Sequence, residues 1–185
     1  TYGKLGVPMI DMKAEKYSFE NSAGIIHKGG RNEINCLKDK FNITAPVFHF
    51  YPYCLNDLYV PINRDKLSKE NKSLNLVFIG SVHLKDIPRC ISGEPFSEII
   101  TEIVNQKIHF HLYSPQYDII QKSKEYEELL KNRYFHLHVP CYDIELAKKI
   151  SRCDFGFWVY YPTDVARKEF TEDSFGNKMS TFIEA

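Results

Sequence analysis

Near the end of the chain, Asp173-Ser174-Phe175-Gly176-Asn177-Lys178 sets a carboxylate, a hydroxyl, a glycine, an amide and an ammonium group within six consecutive residues. The apolar positions that follow, Met179, Phe182 and Ile183, have helical spacing, so this polar turn opens a helix. Free backbone N–H groups and the positive end of the helix dipole then point at whatever sits before the first turn, and Lys178 adds a full charge. That chemistry suits a diphosphate. An ordinary helix start, with Ser174 as N-cap and Lys178 in water, accounts for the same residues.

Two HxH pairs, His109-Phe110-His111 and His136-Leu137-His138, each put both imidazoles on one face of a strand, because strand side chains alternate with a period of two. If those strands are neighbours, the four imidazoles converge, either as metal ligands or as strand histidines packed beneath helices. No carboxylate or thiolate stands at ligand spacing beside them, and no metal is expected. The aromatic run Phe155, Phe157, Trp158, Tyr160 and Tyr161 reads as core strand rather than as a sugar-stacking platform. His27-Lys28-Gly29-Gly30 reads as a turn between a strand and a helix.

The elements that must position these groups alternate along the chain. Strand-like apolar runs cover residues 23–27, 46–51, 74–80, 107–113, 134–139 and 153–160, and helix-period runs cover 31–41, 96–105, 122–131, 144–151 and 177 onward. Such alternation predicts an α/β fold with a Rossmann-like parallel sheet. In such sheets the ligand crevice lies beyond the carboxyl ends of the strands, here Gly80-Ser81-Val82-His83, Ser114-Pro115-Gln116, Pro140-Cys141-Tyr142 and residues 162–176. Residues 63–73 are polar with a single apolar side chain, which suggests a connection between two α/β units.

With 43% apolar residues, a chain of 185 residues has material for a substantial core. Lys plus Arg balances Asp plus Glu at 24 each, which excludes nucleic acid as the main partner, since phosphate backbones select a surplus of positive charge. Bases are in slight excess before Arg89 and acids after it, so any anion site must be local. No apolar run approaches the roughly 20 residues of a transmembrane helix. Cys36, Cys54, Cys90, Cys141 and Cys153 are odd in number and contain no CxxC, a pattern of reduced thiols in a cytoplasmic protein. The sequons at Asn42 and Asn71 point the other way but are short enough to arise by chance. The chain begins at Thr1 without Met and stops at Ala185 within an amphipathic pattern, so it reads as a piece of a longer protein.

Taken in order, these segments resemble the GT-B glycosyltransferases of the group 1 type. The resemblance rests on residues 74–80 as opening strand and loop of the donor domain, His138-Val139-Pro140-Cys141-Tyr142-Asp143 followed by a short helix, Cys153-Asp154-Phe155-Gly156, and the Asp173–Ala185 segment with its Phe-Gly pair and Asn-Lys helix start. It covers nearly the whole chain. It implies that residues 1–59 end an acceptor-side domain, residues 60–73 link, and residues 74–185 form most of a nucleotide-sugar-binding domain.

The resemblance also implies site residues. Donor contacts fall on Gly80, Ser81 and Lys85 in the first loop, on Val139 and Tyr142 for the base, and on Asp173, Ser174, Phe175, Gly176, Asn177, Lys178 and Thr181. Lys178 is the expected diphosphate contact and Asp173 the expected sugar contact, with Glu184 in water. Two positions depart from the family pattern. Ser81 stands where many members carry Arg, and Thr181 stands where a Glu would hold both ribose hydroxyls.

The implied activity is transfer of a sugar from a nucleotide diphosphate sugar to an acceptor hydroxyl on a sugar or lipid-linked molecule. It needs no metal or other cofactor, works in the cytoplasm with room for peripheral contact at the inner face of a membrane, and gives no catalytic base within this segment. The segment alone is expected to be inactive. Two alternatives remain open on the sequence: a non-catalytic nucleotide- or phosphate-binding α/β module, and a GT-B sugar-nucleotide epimerase.

Overall fold

The computed structural model describes residues 9–27, 31–50, 65–82, 84, 96–158 and 182. They fall into two compact units, the first holding residues 9–50 and the second residues 65–158 with Phe182.

The first unit contains helix α1 (Met9–Asn21), strand β1 (Ile25–His27), helix α2 (Arg31–Lys40) and strand β2 (Val47–His49). The strands are parallel, with Ile25 opposite Val47 and His27 opposite His49. Phe19 stacks on Phe41 at 5.4 Å, and Ile34 and Phe41 are the buried apolar side chains of this unit. On helix α1 both Ile10 and Tyr17 are exposed, so period-3.6 reasoning passes over it.

The second unit runs α3 (Leu67–Asn71), β3 (Asn75–Ile79), α4 (Phe96–Asn105), β4 (His109–Tyr113), α5 (Tyr117–Lys122), a 3₁₀ turn (Lys124–Tyr126), α6 (Glu127–Lys131), β5 (Phe135–His138), α7 (Asp143–Ile150) and β6 (Phe155–Gly156). Its sheet has the order β5-β4-β3-β6, all parallel. This is an α/β fold with a Rossmann-like parallel sheet, as the alternation of runs predicts. The two-residue period of the strands divides the side chains between two layers. Leu76, Phe78, Phe110, Leu112, Phe135 and Leu137 face α4, α5 and α6, whose Ile100, Val104, Ile120 and Leu129 complete the main core. On the opposite face Val77, Ile79 and Tyr113 meet Leu67 of α3 and Leu146 and Ile150 of α7, with Cys153 between.

Two differences from the periodicity reading have identifiable causes, one local and one long-range. The run 122–131 is not one helix but the last residue of α5, the 3₁₀ turn and α6, because Ser123 is extended and its Oγ accepts a hydrogen bond from Glu125 N at 3.2 Å, capping a new start. Within the polar stretch read as a connection, α3 forms through long-range contacts that no local pattern reveals. Lys66 Nζ donates to Ser151 O at 2.6 Å and Cys153 O at 2.8 Å, capping the end of α7, and Leu67 N donates to Arg152 O at 2.8 Å. Ser68 Oγ donates to Asp154 Oδ1 at 2.5 Å, and Glu70 pairs with Arg152.

Candidate functional site

Strand β3 is the sheet's turning point: the chain moves from β3 outward through β4 to β5, then returns to the other side of β3 as β6. The carboxyl ends of β3 and β6 therefore border the place where an open parallel sheet forms its crevice. At the end of β3, Gly80 has φ 120, a conformation that side chains resist, and its N–H still donates to Tyr113 O at 2.8 Å. Ser81 beyond it is exposed. Val82 N–H is held by Gln116 Oε1 at 2.7 Å, so the loop after β4 braces the loop after β3. The sequence placed Gln116 in a crevice loop but gave no sign of this bracing role.

At the end of β5, Val139 and Tyr142 are 65% and 70% exposed, uncommon for large apolar and aromatic side chains beside a core. Asp143, which opens α7, has φ 51, so the chain turns through the left-handed region to start the helix. Gly80 and Ser81 thus lie on the same edge of the sheet as Val139 and Tyr142, two strand spacings away, about 10 Å across. Lys85, Asp173, Ser174, Phe175, Gly176, Asn177, Lys178 and Thr181 lie outside the described residues. Phe182 is described, and its ring lies so close to Gly156 of β6 that a Cβ there would be 2.4 Å from it.

The HxH pairs do lie on neighbouring strands. Register pairs His111 with His136 and Tyr113 with His138, and the rings interleave in the order His109, His136, His111, His138, Tyr113. Successive centroids are 5.0, 4.5, 5.2 and 4.4 Å apart, with planes within 20° of parallel. Within this ladder His109 Nδ1 lies 2.8 Å from His136 Nε2, and His111 Nδ1 lies 2.9 Å from His138 Nε2. These are hydrogen-bond distances. Two imidazole nitrogens on one tetrahedral zinc would stand about 3.3 Å apart. Among the described residues, no group of three or more His, Cys, Asp or Glu is arranged to hold a metal.

Burial holds all four imidazoles below their ordinary pKa, taking His111 to about 3 and His138 to about 4. The neighbouring rings add to the effect, as do Arg133 at His109 and Lys149 at His138. The fully buried Asn75 fixes the tautomers of the His111–His138 pair. Its amide nitrogen donates to Ser73 O at 2.8 Å, which leaves Oδ1 to accept from His111 Nε2–H at 3.1 Å. Neutral His111 then has a bare Nδ1, and His138 Nε2–H donates to it.

No family model, no curated protein and no solved structure matches the chain. The chemistry open to the site is set by its own geometry. The carboxyl edge offers a glycine turn with no side chain in the way, an exposed serine and an exposed aromatic ring, features compatible with a phosphorylated ligand that carries a flat base. The histidine ladder offers paired neutral imidazoles with every inward nitrogen engaged. Among the described residues no helix is long and apolar enough to cross a membrane.

Proposed function

We propose that the second unit binds a nucleoside diphosphate sugar across the carboxyl ends of β3, β5 and β6, and that the protein is a glycosyltransferase of the GT-B type. The observation that carries the reading is the strand order β5-β4-β3-β6, which reverses direction beside β3, where the chain turns through Gly80 at φ 120. Gly80 lets the backbone approach phosphate oxygens, and Ser81 supplies a hydroxyl. Tyr142 offers an exposed ring for the base, and Val139 a backbone edge beside it. Phe182, four residues beyond Lys178 in the sequence, lies against Gly156 of β6, and the reading assigns Lys178 to the diphosphate and Asp173 to the sugar.

In such a site the protein's work is to stabilise the departing diphosphate with positioned donors and positive charge while the sugar acquires oxocarbenium character. Lys178 is the residue of that charge, and Thr181 contributes one hydroxyl to the ribose. The acceptor is a hydroxyl of a sugar or lipid-linked molecule.

The reading is tested by calorimetric titration of UDP, GDP and ADP. One of them should bind, and Lys178→Ala should weaken it about tenfold, equivalent to about 1.4 kcal/mol. Absence of binding by all three, or unchanged affinity in Lys178→Ala, refutes the donor site.

A further inference from the structure

The histidine ladder has no part in the nucleotide site, yet it is an unusual way to build a sheet face. Strand β5 is the outer strand of the described sheet and pairs only with β4. On the face opposite the main core, the side chains joining β5 to β4 are His136 and His138 against His109, His111 and Tyr113. Apolar side chains would give the same packing without consequence for acid. Imidazoles do not, because each N–H···N contact depends on a proton count.

We propose that the ladder is a proton-sensitive clasp that holds β5 to the sheet and opens when its paired imidazoles take up protons. With both imidazoles neutral, an N···N contact at 2.8 or 2.9 Å requires a single proton between the two nitrogens of each rung. A first added proton goes to an outward nitrogen and leaves the rung intact, since an imidazolium N–H still donates to a neutral partner. A second proton on the same rung turns both inward nitrogens into donors, and the 2.8 and 2.9 Å contacts become repulsive.

The surroundings offer protonated rings little relief. The preceding turn carries Arg133 and Tyr134, and α7 carries Lys149, whose partner Glu145 lies 2.7 Å away from it in an ion pair. Tyr113 stacks on His138. The thiols Cys141 and Cys153 share this face, and β3 contributes Asn75, with Asn71 of α3 and Asp154 hydrogen-bonded to it rather than to an imidazole. Asn75 Oδ1 accepts from His111 at the middle of the ladder, so a protonated His111 keeps that contact but loses the one from His138.

Opening the clasp releases the β5 edge, and with it the start of the segment that carries Val139 and Tyr142. The ladder therefore makes one part of the fold acid-labile while the core on the opposite face, with Phe110 and Leu112 fully buried, is indifferent to pH.

The test compares the thermal midpoint of the native protein with that of His111→Phe/His138→Phe, which keeps two stacked rings and removes one rung. Between pH 7 and pH 5 the native midpoint should fall by roughly 5 °C more than the double variant's. Parallel curves overturn the clasp. Imidazole 15N spectra of the native protein give a reading that needs no variant: a two-bond 15N–15N coupling across the hydrogen bond should join His111 Nδ1 to His138 Nε2 at pH 7 and vanish on acidification. Absence of that coupling at pH 7, or all four imidazoles titrating near the free-histidine value in the folded protein, also overturns it.

Discussion

Tyr126 is fully buried, and among the described residues its hydroxyl has no hydrogen-bond partner. A buried hydroxyl without a partner costs about 1–3 kcal/mol in lost hydration, whereas the ring itself packs against Phe135 at 6.2 Å. Tyr126→Phe should therefore leave stability unchanged or raise it by about 1 kcal/mol in urea denaturation. A clear loss would mean the hydroxyl is held. The histidines show the opposite case, polar atoms with every inward contact filled. His111 binds a proton in the unfolded chain below its ordinary value of 6.5 but in the folded one only below about 3. Its contribution is thus complete above pH 6.5 and is lost as the pH falls from there toward 3, amounting to ~2 kcal/mol at pH 5. The HxH spacing was visible in the sequence, and so was the shared face. The hydrogen bonds were not, because they need the β4–β5 register that sets His111 opposite His136.

The six strands of the described residues lie within the apolar runs, and the signal is most contiguous at β3 and β4, the most buried of them. The strand read over residues 153–160 pairs formally at Phe155–Gly156, with Phe157 N still donating to Val77 O at 2.7 Å, and its end lies outside the described residues. Helices were legible only where an apolar stripe marks them, as in α4, whose Phe96, Ile100 and Val104 are buried. The short α3 has no buried residue and depends on distant partners instead. Lys66→Met should remove the ammonium that caps α7 while keeping much of the stem's packing, at a cost of about 1–2 kcal/mol by chemical denaturation. Amide exchange at Ser151, Arg152 and Cys153 should quicken with it; unchanged exchange would show that the two carbonyl contacts do not hold the end of the helix.

For the molecule as a whole, fold class was the most legible property, because alternation of runs survives errors at every boundary. The candidate site was legible in part. Gly80, Ser81, Val139 and Tyr142 do come to the carboxyl edge of one sheet, while the bracing of the β3 loop by Gln116 depends on a contact across 34 positions that composition does not encode. The direct measurement of the donor-site account is amide chemical-shift mapping during titration with the nucleoside diphosphate that binds. The donor-site reading predicts shifts concentrated at Gly80, Ser81, Val82, Val139 and Tyr142, with Ile100 and Val104 in the core unmoved. Shifts confined to the amino ends of the strands, or none at a saturating concentration, would contradict it.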